Sequence, residues 1–239
     1  MRERDIENKN NKLYSFHNYF IKSFEDEIAE IINNSKINKK INIFDVGCFR
    51  GNFSRSIKKK IKKRANFYLF DPNPKIALKD FTYNCFGISD KNEIKNYNYN
   101  SFIPSSGSGY NNITSNDFFW TLTRKIFTFN FFKKFISFKT KTITLDTFCK
   151  KKNIKEIELL KIDTEGHEIN VLNGSKNILK KTKIIQLEIL DEKRFFEEKF
   201  IKIEKFLKRY HFKLLKKKRI WSVSIFSNIK AIDALYIKI

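Results

Sequence analysis

The sequence predicts an α/β fold, a doubly wound and mostly parallel sheet, and three observations carry that expectation. Short apolar runs alternate with Lys-rich stretches of helical period. The first run, Ile41–Val46, turns through a glycine pair into a helix, and the second stops at an acid followed by proline. Such alternation implies right-handed βαβ crossovers and strands covered on both faces.

The elements follow in order. A helix is predicted over Tyr14–Ile32, where Phe16, Phe20, Ile21, Phe24, Ile28, Ile31 and Ile32 gather on one face. Residues 1–40 are read as a helical extension ahead of one domain over 41–239. After the strand Ile41–Val46, Ser54–Arg64 forms a helix with Ile57 and Ile61 inward. Asn66–Phe70 is the second strand, ended by Asp71 and Pro72 because proline has no amide donor. Pro74 fits the first turn of a following helix.

Tyr83–Ile88, Glu158–Ile162 and Lys183–Leu190 are the third, fourth and fifth strands, with a helix over Ile169–Leu179 between the last two. A helix around Phe195–Tyr210 then precedes two β-like stretches, Trp221–Phe226 and Ala234–Ile239, expected to form an antiparallel edge. A long insert, Lys91–Ile143, opens with the flexible Ser105–Tyr110 and passes into an aromatic stretch, Phe118–Phe138. Long inserts at such places are often lids or substrate loops.

Composition sets the outer bounds. With 41% hydrophobic residues, 7 Gly and 3 Pro in 239 residues, the chain has the means for a packed core and little for linkers. No stretch approaches roughly 18 uncharged apolar residues, and the N-terminus lacks an apolar signal core, so neither secretion by that route nor a membrane span is expected. Cys48, Cys85 and Cys149 are far apart without paired spacing, which fits a reducing cytoplasm better than a disulfide framework or a zinc site. The formal charge of +23 would attract nucleic acid, anionic lipid or acidic glycans. Lys, Asn, Ile and Phe are in excess together, as biased coding leaves them, so the charge does not name a partner.

The chemistry begins at Asp45–Phe53, where a strand turns into a helix. Gly47 and Gly51 let the backbone approach a ligand. Asp71 ends the next strand, twenty positions after Gly51, where a carboxylate can accept both hydrogen bonds of a ribose diol. The loop lacks the full glycine fingerprint of a pyrophosphate site and the Gly-Lys-Ser/Thr of a triphosphate site. S-Adenosylmethionine has a sulfonium and an ammonium but no phosphate, so a loop carrying the Asp45 carboxylate suits it better than it suits a dinucleotide. Ser89 and Asp90, closing the third strand, are placed at the adenine end, with an ordinary polar turn as the alternative.

The most specific stretch is Leu159–Glu168, whose Asp163, Glu165 and His167 crowd the mouth of a strand. An alcohol must lose its proton as it attacks a methyl group, and His167 or Glu165 is the expected base, with Asp163 orienting. Glu168 reads as a helix N-terminal acid, and Glu188 either lines the pocket or is paired there. The Asp-x-Glu spacing also suits a divalent ion, but no further ligand set is visible and no metal is expected.

The segments DVGCFRGNFS, FDPNP (Phe70–Pro74), TLDTF (Thr144–Phe148) and LLKIDTEGHEINVLNG (Leu159–Gly174) together resemble the FkbM family of methyltransferases, over roughly residues 41–239. The resemblance implies a Rossmann-like class I fold and S-adenosylmethionine as cofactor. It also implies transfer to hydroxyl oxygens, often on sugars or polyketide products. On that likeness Gly47 and Gly51 border the methionine part, Asp71 the ribose and Ser89 or Asp90 the adenine, while Asp163, Glu165 and His167 face the methyl. Asp71 departs from the family's usual Glu, and the aromatic insert aligns with nothing.

The expected acceptor is therefore a hydroxyl on a sugar, glycan or lipid-linked glycan. RNA ribose methylation ranks lower, and base-amino methylation lower still because its Asn/Asp-Pro-Pro-aromatic motif is missing. A reading from another class is a non-catalytic protein that docks Phe118–Phe138, with Arg124, Lys125, Lys133 and Lys134, on an anionic membrane surface or nucleic acid.

Overall fold

The computed structural model describes residues 24–73, 78, 80–101, 107–111, 113–129, 132, 134–220 and 227–239. A seven-stranded sheet is built from β1 (Ile41–Val46), β2 (Ala65–Phe70), β3 (Thr82–Asn84), β7 (Ile157–Ile162), β8 (Thr182–Glu192), β9 (Phe212–Arg219) and β10 (Ile229–Lys238). Their order is β3-β2-β1-β7-β8-β10-β9. The pairs from β3 to β8 are parallel, while β10 runs antiparallel to both β8 and β9. The strand order reverses between β1 and β7, which opens a crevice above their carboxyl ends.

The central strand β7 is buried end to end. All six residues of β7 are buried, including Glu158 and Lys161. Helices α1 (Glu25–Asn34) and α2 (Asn52–Lys60) cover one face. Phe24, Ile28 and Ile32 share a cluster there with Ile41, Ile43, Ile57 and Leu159. The opposite face takes α5 (Leu145–Lys151), α6 (Glu168–Asn173), α7 (Lys176–Leu179) and α8 (Lys193–Lys208), with Phe148, Leu172, Leu179, Phe196 and Ile203 among the residues packed on Phe44, Leu160 and Ile185. Helix α1 thus belongs to the core, and the expected helix over residues 14–23 lies outside the described residues, as does the one at Pro74.

Three expectations change. Tyr83–Ile88 is not one strand: β3 pairs with β2, while β4 (Gly87–Ile88) pairs with β6 (Phe135–Ile143) in a second sheet. The break is a tight turn in which Phe86 N donates to Asn84 O at 3.0 Å. Ile169–Leu179 is two helices, because Gly174 lies against the Ser89 carbonyl and the Asp146 carboxylate receives the amides of Asn177 and Ile178 to start the second. The outer partner of the antiparallel pair is Phe212–Arg219; Trp221–Phe226 lies outside the described residues. That Lys-rich strand reads as a solvated surface in sequence, and lysines on an outermost strand also discourage pairing with other chains.

The insert is a β-structure as much as a helical one. β5 (Glu93–Asn100) and β6 form an antiparallel pair, with α3 (Ile113–Asn116) and α4 (Phe118–Thr128) between them. Gly109 bridges to Asn98, which brings residues 107–110 over the crevice. No helix among the described residues is long and apolar enough to cross a membrane.

Candidate cofactor and acceptor cleft

The crevice is a cleft of about 530 Å³, and its two ends are built from different parts. At one end, β1 leaves the sheet at Gly47, whose φ of +78° suits glycine. A Cβ at Gly47 would sit 1.7 Å from the Asp163 carbonyl oxygen, so the turn is pressed onto the loop after β7. Gly51 has a φ of +72° and starts α2. Cys48, Phe49 and Arg50, held between the glycines, line the cleft.

Asp71 ties this turn to the end of β2. Its Oδ2 accepts from Phe49 N and its Oδ1 from Asn73 N, both at 2.9 Å. Burial pushes its carboxyl up to about 6, against the pull of those two amides. Tyr83 Oη donates to the carbonyls of Asp71 and Asn73, fixing the loop that carries the carboxylate. Gly87 and Ile88, with Tyr97 and Tyr110 from the insert, close this side.

At the other end, Asp163 and Glu165 follow β7, Gln186 and Glu188 come from β8, and Asp233 comes from β10. Residues two apart on a strand share a face, and the register sets Gln186 opposite Lys161 and Asp233 opposite Glu188. Lys161 Nζ lies 3.0 Å from Asp163 Oδ2 and 3.3 Å from Asp45 Oδ1. Burial works against that ammonium, but the two carboxylates hold its proton above the ordinary lysine range. Glu165, at a φ of +51°, accepts from Gly107 N at 2.7 Å, which links the insert to the site. Burial, then the charges of Asp163, Glu165 and Asp233, push the Glu188 carboxyl well above the usual range. The same causes, burial first and then Asp163, bring Asp233 to about 6.

Of the residues singled out in sequence, Gly47, Asp71, Asp163 and Glu165 line the cleft together. Four others do not. Asp45 is fully buried beneath the floor, accepting from Ser54 Oγ at 2.7 Å and pairing with Lys161, so it positions that lysine instead of meeting a ligand. Ser89, Asp90 and His167 form a separate network below the cleft. Ser89 Oγ donates to Asp90 Oδ1 and lies 2.9 Å from His167 Nε2, and Asn170 donates to the same carboxylate. His167 is 2% exposed and the Tyr110 ring, 5.1 Å away, takes the cleft-facing position. Burial depresses its imidazole to about 4. His167 is thus a buried neutral histidine that ties β4 to α6, and it is no base for a group in the cleft. Gly51 shapes the turn from behind. Glu168, fully buried, accepts from Gly166 N and pairs with Lys199 at 2.8 Å.

Sequence reasoning missed Lys161, Gln186 and Asp233. The signal for the first two was present: each sits two positions before an acid on a buried strand, where alternation puts both on one face.

No curated protein sequence is significantly similar to the chain. Among solved structures, the N-methyltransferase NodS from Bradyrhizobium japonicum WM9 superposes with a TM-score of 0.45 at 7% identity, over 100% of this chain and 99% of that one. The precorrin-6y C5,15-methyltransferase from Geobacter metallireducens GS-15 gives 0.39 at 9% identity, over 90% and 87%. The plantazolicin methyltransferase BpumL, in complex with a triazolic desmethylPZN analog and SAH, gives 0.40 at 12% identity, over 96% and 91%. The methyltransferase FkbM domain matches residues 45–214, from the buried acid beneath the glycine turn to β9. With that match spanning well over half of the chain, the protein belongs to the FkbM-domain family and is an S-adenosylmethionine-dependent methyltransferase.

Proposed function

We propose that the protein methylates a hydroxyl oxygen of a neutral, hydroxyl-rich acceptor of the sugar or glycan type. The cofactor is read at the glycine turn with its ribose on Asp71, and the Asp163, Glu165 and Glu188 carboxylates hold the acceptor hydroxyl and receive its proton. The observation that carries this reading is the convergence of those three carboxylates, with burial holding the Glu188 carboxyl well above the usual carboxylate range. Methyl transfer is an in-line displacement at carbon already activated by the sulfonium, so the protein chiefly aligns the partners. The alcohol's proton is what remains to be removed, and a placed base contributes roughly 10² to 10⁴ in rate.

Charge argues for the acceptor class. The deep end of the cleft holds Asp163, Glu165, Glu188 and Asp233 against Lys161. Carboxylates accept hydrogen bonds from sugar hydroxyls and repel phosphates, which sets RNA below glycans despite the overall +23.

One further observation favours a lipid-linked form of the acceptor. On and beside α4, Phe118 is 69% exposed, Phe129 85% and Phe132 97%, and Lys125 and Lys134 lie among them. A patch of that composition suits an anionic bilayer surface. Sedimentation with anionic liposomes at two salt concentrations tests it: loss of lipid binding on Phe129→Ser with Phe132→Ser supports the reading, and no binding at low salt ends it.

The function itself is tested by S-adenosylhomocysteine release with glycans, RNA and primary amines as acceptors. Turnover with a hydroxyl-bearing glycan that Glu188→Gln and Glu165→Gln each lower 10²- to 10⁴-fold is expected. Turnover with RNA or amines alone contradicts it.

A further inference from the structure

We propose that the acceptor end of the cleft binds a divalent cation of hard, oxygen-preferring character, such as Mg²⁺, Mn²⁺ or Ca²⁺, beside the cofactor, with Asp163, Glu165, Glu188 and the Gln186 carbonyl oxygen as its ligands. Asp163, Glu165 and Glu188 each place an oxygen within 4.8 Å of the others. Two ligands of one cation can be no farther apart than twice the metal–oxygen distance, about 4.2 Å for Mg²⁺ and about 5 Å for Ca²⁺. The group is thus within reach of a Ca²⁺-sized ion and closes on it, or on a smaller one, by side-chain adjustment.

Gln186 is the independent observation. It is 3% exposed, it lines the same cleft, and its Oε1 has no hydrogen-bond donor among the described residues. Its amide nitrogen is already committed to the Asp233 carboxylate, which turns the carbonyl oxygen away from that partner. A buried carbonyl oxygen without a donor is costly, and a cation satisfies it as a donor would. It shares a strand face with Glu188 and sits in register with Lys161, two residues from Asp163.

The charges point the same way. Lys161 is held between Asp45 and Asp163, which leaves Glu165, Glu188 and Asp233 crowding one another. In an all-oxygen site of this kind, carboxylates and an amide carbonyl select hard cations over softer ones. A bound cation would make a coordinated acceptor hydroxyl more acidic before a carboxylate takes its proton; this last step rests on the hydroxyl reading above, whereas cation binding does not.

The test uses the full chain with Mn²⁺ and no acceptor, so that its outcome is separate from the choice of acceptor. Electron paramagnetic resonance should show one Mn²⁺ per chain, displaced by Mg²⁺ or Ca²⁺, with affinity kept when S-adenosylmethionine is present. Glu188→Gln and Glu165→Gln should each weaken it at least tenfold while leaving S-adenosylmethionine affinity and the far-ultraviolet spectrum unchanged. Gln186→Leu, which removes a ligand but no charge, should weaken it severalfold. Three results overturn the proposal: no stoichiometric Mn²⁺ binding, binding indifferent to all three substitutions, or competitive displacement of Mn²⁺ by S-adenosylmethionine, which would give the carboxylates to the cofactor's ammonium.

Discussion

The two ends of the cleft hold their polar groups in opposite ways. At the proposed cofactor end the backbone does the holding: Gly47 presses onto the Asp163 carbonyl, and both oxygens of Asp71 are fixed by main-chain amides. At the proposed acceptor end the side chains of three strands converge, and repulsion among Asp163, Glu165, Glu188 and Asp233 is relieved by Lys161 only in part. The first arrangement is held by the main chain itself. The second gathers several carboxylates, which is what the proposed acceptor site needs if the chemistry is to vary while the cofactor does not.

The sharpest way to break this comparison is Gly47→Ala. Its Cβ would overlap the Asp163 main-chain carbonyl at 1.7 Å, where no flexible side-chain end can give way, at a positive φ. A destabilisation of about 3 kcal/mol or more is expected in denaturant titration, with S-adenosylmethionine binding lost. Gly51→Ala, whose Cβ meets side-chain atoms of Leu69 and Leu78 at 3.1 Å and of Phe81 at 3.8 Å, should cost about 1 to 2 kcal/mol, mainly for its positive φ.

Glu188→Gln and Asp71→Ala should separate the ends. The first is expected to lower turnover by about 10² to 10⁴ and leave cofactor affinity intact. The second should weaken cofactor binding by about 100-fold, the worth of two hydrogen bonds to a charged group.

Two pH effects are smaller. His167, depressed to about 4 in the fold from 6.5, binds fewer protons folded than unfolded between those values. Its stabilising contribution is complete above pH 6.5 and is lost as pH falls toward 4, by up to about 3 kcal/mol. Asp71, raised from 3.8 to about 6, acts in the opposite sense, favouring the folded state at the acid end of its window. The sign for His167 is therefore read from a difference: His167→Gln should gain stability relative to wild type as pH drops from 6.5 to 4, in paired thermal melts. Cofactor affinity should fall about tenfold from pH 7 to pH 5, as the Asp71 carboxylate is protonated.

The same contrast explains what was legible in the sequence. The glycine turn and Asp71 are local: a strand end, two glycines and an acid before proline, each with a conformational reason to be where it is. The doubly wound sheet followed from the alternation of runs such as Ile41–Val46 and Glu158–Ile162 with helical segments. Glu188, Gln186 and Asp233 meet Asp163 only through the register of β7, β8 and β10, which no single stretch encodes. His167 misled because proximity in sequence to Asp163 and Glu165 does not fix direction. The chain turns at Glu165 and Gly166, both at positive φ, and sends the imidazole beneath Tyr110.

The central claim is that cofactor binding belongs to the Asp71 end and is independent of the carboxylates at the other. Calorimetric titration of wild type, Asp71→Ala and Glu188→Gln with S-adenosylmethionine at pH 7.5 tests it most directly. Wild type and Glu188→Gln should bind one equivalent with equal affinity, and Asp71→Ala should bind far more weakly. Equal binding by Asp71→Ala, or loss of binding in Glu188→Gln with its fold intact, would contradict the division of the cleft.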